Sequence, residues 1–174
     1  TGSAPTSVTF YWGPTDGGAA QGSWMYSTNL GVLSTGLFSN TLSSLPANKS
    51  YYYRAFATNS ESYHWARTST NFTTGKPTVQ FTATNSSGSE TSTPAIIQVT
   101  LSVTSAVDVT VNYTVEAGTA SNGLDYALTN GVITIPAGEI GVGIGFSVTN
   151  DLLDEYDKTV NLLLSNPVSA LLGA

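Results

Sequence analysis

Two stretches of apolar alternation bracket the most acidic segment of this chain: Val142, Ile144, Phe146 and Val148 before it, Val160, Leu162 and Leu164 after it. A period of two is the repeat of a strand that buries one face, so both flanks read as half-buried strands of a sheet. Between them, Asp151, Asp154, Glu155 and Asp157 crowd into seven residues, although only 9% of the chain is charged. Like charges this close repel unless solvent or a cation screens them. Carboxylates gathered on a loop over a rigid sheet are the ligand chemistry of a hard cation, above all calcium. A solvated acidic turn is the competing reading of the same residues.

Further motifs follow in a fixed order through the second half. They are Ser89-Glu90, then Val109-Thr110-Val111-Asn112-Tyr113, Gly118-Thr119-Ala120 and Asp125-Tyr126. Ile135-Pro136-Ala137-Gly138-Glu139, Asn150-Asp151, Asp154-Glu155, Asp157, Thr159 and Leu164-Ser165-Asn166-Pro167 complete the series. In this order and spacing residues 77–174 resemble a Calx-beta domain, an immunoglobulin-like sandwich of sodium–calcium exchangers, integrin β4 and many bacterial surface proteins. The resemblance implies calcium ligands at Glu90, Asp125, Asp151 and Glu155. It also implies one at Asn150, where the family usually has Asp and where a neutral oxygen gives up charge. At Lys158 the family tends to place a glutamate that ligates a second ion. An ammonium there carries the sign of calcium and can take up part of its space. The expectation is therefore one or two weakly held Ca2+ ions, with affinity in about the millimolar range of extracellular modules.

The first half is also β structure. Val8, Phe10 and Trp12 alternate, Gly13-Pro14-Thr15-Asp16-Gly17-Gly18 turns the chain, and Tyr51, Tyr53, Ala55 and Ala57 share one strand face. Leu45-Pro46, Tyr51, Ala57-Thr58-Asn59 and Phe72-Thr73-Thr74 resemble the corner and closing strands of a fibronectin type III domain, a resemblance that gives Tyr51 the corner-anchoring role. Thr73-Thr74-Gly75-Lys76-Pro77 breaks the ladder between the halves. The expected fold is all-β: two tandem immunoglobulin-like sandwiches, residues 1–75 and 76–174, each lacking terminal strands. The first lacks its opening strands and the second its last. Those strands come from the same longer chain or, through strand addition, from a neighbouring subunit.

Charge is uneven. Residues 1–76 carry Asp16 and Glu61 against Lys49, Arg54, Arg67 and Lys76, whereas the other nine acids face Lys158 alone. No basic stripe meets phosphates, so nucleic acid is not an expected partner. The chain has no cysteine, which removes disulfide and thiol chemistry, and no apolar run of membrane-spanning length.

Enzyme chemistry finds little support. His64, between Tyr63 and Trp65, is the one histidine and lacks a second base or a nucleophile elbow; zinc would need several nitrogen or sulfur ligands. Gly141, Gly143 and Gly145 lie in period-two alternation rather than before a helix, so they read as a strand with a bare outer face that another backbone can approach.

The expected function is a non-enzymatic structural or adhesion segment of a large extracellular repeat protein, secreted or at the cell surface, stiffened by calcium and suited to a surface filament. Its partners would be neighbouring domains of the same array or subunits of the same protein. Trp12, Trp24, Tyr26, Tyr63 and Trp65 supply the alternative, a carbohydrate-binding or accessory module of a secreted enzyme, because exposed rings stack on surface glycans. The competing assignment puts Trp12 and the Tyr51 strand in the core, with Trp24 and Trp65 covering sheet edges.

Overall fold

The computed structural model describes residues 4–151 and 156–173. The chain divides into two compact units, Thr1–Leu45 with Lys49–Thr74, and Pro46–Asn48 with Gly75–Ala174. Both are β structure; among the described residues the one helical element is a 3-10 turn at Gln21–Ser23.

The first unit is a single five-stranded antiparallel sheet. Its strands are β1 (Thr6–Gly13), β2 (Tyr26–Leu33), β3 (Ser50–Thr58), β4 (Tyr63–Trp65) and β5 (Thr70–Thr73). β1 lies between β2 and β3, while β4 and β5 pair with opposite halves of β3 and form one interrupted edge. Arg54 bridges the interruption: Nε donates to the Ala66 carbonyl and Nη2 to that of Arg67, each at 2.9 Å, with the guanidinium over the Trp65 ring. Aromatic side chains occupy both faces. Phe10 meets Tyr53 and Phe38 on one, and Tyr11, Phe56 and Trp65 pack on the other. Among the described residues no second sheet belongs to this unit. The segment between β2 and β3, where a covering strand would run, forms none. Its Ser44 sits at φ 59°, which interrupts extended backbone, and Leu37 is fully exposed.

The second unit is a sandwich. One sheet has the order β10 (Gly131–Ile135), β8 (Val109–Glu116), β12 (Asn161–Val168). The other runs β13 (Leu171–Leu172), β6 (Thr78–Phe81), β7 (Ala95–Leu101), β11 (Gly141–Val148), β9 (Tyr126–Ala127). Leu171–Leu172 pair with Thr78–Val79, in parallel. Alternation decides what lies inside. Val79, Val109, Val111 and Ile135 are completely buried, joined by Val99, Leu101, Ile144 and Leu164 from both sheets. Each such side chain contributes roughly 1.5–3 kcal/mol by leaving water.

The glycines of β11 face outward, opposite Ile96, Gln98 and Thr100. They are less open than their sequence suggests. A Cβ on Gly143 would strike the Ile96 side chain, and one on Gly141 the Val99 carbonyl oxygen, so close packing within the sheet already uses that space. On the edge strand β12, a register shift between Ser165 and Val168 coincides with Asn166 at φ 48° and with Pro167. Together they interrupt the exposed row of backbone groups that would otherwise invite another strand.

Candidate metal centre

Strand direction brings the acids to one end of the sandwich. β11 ends at Val148, where it pairs with Tyr126 of β9, and β7 begins at Ala95, opposite Phe146. The residues just beyond these ends are Asp125 before β9, Thr149-Asn150-Asp151 after β11 and the Ser89–Ser92 turn before β7. Two hydrogen bonds hold this end in register. Thr149 N–H donates to the Asp125 carbonyl at 2.9 Å, and Val148 N–H donates to Thr93 Oγ1 at 3.3 Å.

Asp125 is the best defined of the predicted ligands. The Ser121 N–H donates to its Oδ2 at 2.6 Å, and Lys158 Nζ lies 2.7 Å from its Oδ1. That ammonium first, and then the Ser121 N–H, hold the Asp125 carboxyl below its ordinary range, against a weaker opposing effect of desolvation. Asn122 shapes the same loop: its Nδ2 donates to the Leu128 carbonyl at 2.6 Å, and its Oδ1 accepts the Leu128 N–H at 3.2 Å.

Lys158 owes its place to a second loop pair. Thr119 N–H donates to Thr159 Oγ1 at 3.1 Å, Thr159 N–H returns a bond to Thr119 Oγ1 at 2.8 Å, and Ala120 N–H donates to the Thr159 carbonyl. Gly118 permits this approach, since a Cβ there would collide with the Thr159 carbonyl oxygen. Asn161 Nδ2 adds a bond to the Ala117 carbonyl at 2.6 Å. The sequence marks Gly118-Thr119-Ala120 and Thr159 as family motifs, but their mutual clasp and the Ser121 N–H on Asp125 come to light only in three dimensions.

Of the five predicted ligands, Asp125 is anchored, and Asn150 and Asp151 are exposed directly after the residue bonded to its backbone. Glu90 is half-buried on its turn. Glu155 lies outside the described residues, as does Asp154. Among the described residues, no three His, Cys, Asp or Glu side chains gather closely enough to form a metal cluster. Calcium needs hard oxygen donors, loops that bring them together and free valence on each donor. The third, free valence on Asp125, competes with Lys158.

His64 is exposed on β4, paired with Ala57 and flanked by Tyr63 and Trp65. On the opposite face of the sheet, Tyr11, Phe56 and Trp65 are tilted, with interplanar angles of 52° for Tyr11–Trp65 and 59° for Phe56–Trp65, whereas Trp12 and the exposed Tyr26 stack at 4.3 Å and 28°. Tilted rings of this kind pack edge to face on one another. Trp24 is likewise buried, lying over Gly17 with its Nε1 donating to the Gly18 carbonyl at 3.3 Å.

Comparison with known proteins places the second unit. The family model described as "Calx-beta domain" matches residues 73–171, more than half of the chain. Among solved structures, "Crystal structure of CBD12 from CALX1.2" aligns at 15% identity with a TM-score of 0.45, covering 95% of this chain and 69% of that one. No curated protein matches the sequence.

Proposed function

The chain belongs to the Calx-beta family, whose domains are calcium-binding β-sandwich modules, and from that premise we propose that it is a non-enzymatic structural or adhesion segment of an extracellular repeat protein. In this reading the protein is secreted or held at the cell surface, as part of an array or filament of the bacterial kind. Its partners are neighbouring domains or subunits, and calcium stiffens the rim of its second unit. The observation that carries the reading is Asp125: a carboxylate fixed by the Ser121 N–H at the end of the sandwich, already facing a cation 2.7 Å away.

Glu90, Asp125, Asn150 and Asp151 would hold the ion, with Glu155 as the further ligand that the family pattern supplies. Calcium bound there would offset the repulsion among these carboxylates and tie several loops together, so metal binding and folding stability are linked. This chain's own residues set the terms. Ser121 fixes one oxygen of Asp125, the Thr119–Thr159 clasp delivers Lys158 to the other, and the ammonium must give way before that oxygen can ligate. One or two ions, weakly held, follow from that competition and from the neutral Asn150. Thermal melting with calcium and with chelator, paired with calcium calorimetry, is the test. A higher melting temperature with calcium and a measurable heat are expected; identical curves and no heat would overturn the proposal.

A further inference from the structure

We infer that Pro46–Asn48, the tripeptide between β2 and β3, is a clasp built into the second unit, whose hydrogen bonds tie that unit's buried turn at Ser105 to the entry to β13. Ala47 is 3% exposed, and both of its backbone groups are used: its N–H donates to the Thr104 carbonyl at 2.8 Å, and its carbonyl accepts the Ala106 N–H at 2.9 Å. It thus forms a one-residue parallel bridge with Ser105, outside the named strands. Asn48 then turns into the left-handed region at φ 55°, a conformation asparagine tolerates better than most residues, and its side chain points back into the unit. Nδ2 donates to Ser105 Oγ at 3.0 Å and to the Ser169 carbonyl at 2.7 Å, while the Asn48 N–H donates to the Gly75 carbonyl at 3.1 Å.

The groups on the receiving side are deeply placed. Ser105 is 1% exposed, and its hydroxyl also accepts the Val107 N–H. Ser169, at φ 63°, precedes Ala170, which is 3% exposed, and the strand that pairs with β6. A connector that merely spans distance leaves its backbone to water. Here Asn48 joins three parts of the unit, residue 75 through its backbone N–H and residues 105 and 169 through its side-chain amide; removing that amide takes one of two donors from the buried Ser105 hydroxyl and the side-chain donor from the Ser169 carbonyl. The consequence is a domain that is discontinuous in sequence, so its stability depends on a segment more than twenty residues upstream of its first strand. None of these bonds is ionic, so the clasp is independent of calcium and salt. Nδ2 is also the acceptor atom of the Asn48-Lys49-Ser50 sequon; because both of its hydrogens are used, glycan attachment and the clasp exclude one another.

Amide hydrogen exchange on the full chain tests the clasp. Asn48→Gly keeps the left-handed backbone and deletes the amide. Loss of these bonds should speed exchange across residues 104–107 and 169–173 by about 10- to 100-fold, while the central amides of β8 exchange more nearly as before. Ser44→Gly, at a residue with φ 59° that belongs to the first unit, is the control and should leave those segments unchanged. Unchanged exchange at both segments in folded Asn48→Gly overturns the inference. If that variant does not fold, Ser105→Ala decides. Faster exchange at Ala106, whose N–H Ala47 receives, supports the clasp, and wild-type exchange there refutes it.

Discussion

The two units meet the same burial problem with opposite residue types. The second closes two sheets over valine, isoleucine and leucine, and four of its side chains reach zero exposure. The first spreads tryptophan, tyrosine and phenylalanine over both faces of one sheet, where most remain half-buried; only Val8, Trp24, Tyr51 and Phe56 fall below a tenth exposed among its large side chains. β-branched residues fill a thin layer between facing sheets because they are stiff and compact. Large rings instead cover a single sheet by overlapping one another edge to face. The first unit also retains the one orphan found among the described residues, the buried Trp12 Nε1 without an acceptor. A closed sandwich and an open aromatic sheet should therefore respond differently to the same perturbation.

The largest difference is expected from core truncation. Ile135→Ala removes a completely buried side chain between sheets and should cost roughly 2–5 kcal/mol. Phe10→Ala takes away a larger but half-exposed ring and should cost only about 1–2 kcal/mol, since less of it has left water. Denaturant unfolding of both variants reads the comparison. Equal losses would mean that the first sheet is as well enclosed as the sandwich.

Next in size is Gly118→Ala. The added methyl meets the Thr159 carbonyl oxygen, and the two loops must part to admit it, at roughly 1–3 kcal/mol for a strained close contact. The first unit offers a parallel in Gly17→Ala, whose methyl would meet the Trp24 ring. Trp24 is itself buried and bonded to Gly18, but the approach at Gly118 is the closer of the two and falls on backbone, so Gly17→Ala should be the milder change. Melting temperatures that rank the other way would show that the rim loops yield easily and do not fix Lys158.

How much of this was readable in one dimension follows from what alternation can encode. The long strands of the second unit, the position of Asp151 beyond the end of β11 and the outward glycines of β11 all follow from period-two patterning, because that pattern directly records which face is buried. The single sheet of the first unit does not. Nothing in the order of the residues between β2 and β3 reveals that Ser44 takes a left-handed conformation or that Leu37 stays in water. At the rim, residue types announced the hard-oxygen chemistry. The Ser121–Asp125 bond and the clasp of Thr119 to Thr159, forty positions apart, are non-local contacts with no sequence period. Lys158 falls between these cases. Its charge invited the idea of an ammonium beside the ligands, and its partner Asp125, thirty-three residues earlier, required the fold.

That pair gives a third prediction, confined to the second unit. Lys158→Glu deletes the ammonium and adds a carboxylate, so calcium stoichiometry or affinity should rise while metal-free stability falls through repulsion with Asp125. Lys158→Met separates the two effects, freeing Asp125 without adding a ligand. Calorimetry with calcium and melting in chelator report them independently. If both variants bind calcium as the wild type does, the ion pair does not compete with metal.

The smallest expected effect is also the sharpest comparison of the units, because each holds one carboxylate below its ordinary range by a different means. Asp16 accepts the Ser69 hydroxyl at 2.7 Å and the Gly18 N–H at 2.9 Å, and these neutral donors outweigh the more distant Arg54. Asp125 is lowered chiefly by the Lys158 ammonium. Both are depressed acids, so each contributes stability that is fully present above its unfolded value of about 3.9 and is lost as pH falls through the lower folded value. Salt divides them. Raising ionic strength from about 0.1 M to 1 M shortens the screening length from about 10 Å to 3 Å, which weakens an exposed ion pair but leaves a hydrogen bond from a neutral donor almost untouched. Carboxyl NMR titrations of the metal-free protein at the two salt levels should therefore move Asp125 upward toward its ordinary range and leave Asp16 in place. Asp16→Asn should flatten the acid limb of the first unit's stability only slightly, as expected for an exposed group. An Asp16 that shifts with salt as far as Asp125 would mean that Arg54, rather than Ser69 and Gly18, sets its charge, and the contrast between the two units would fail at this point.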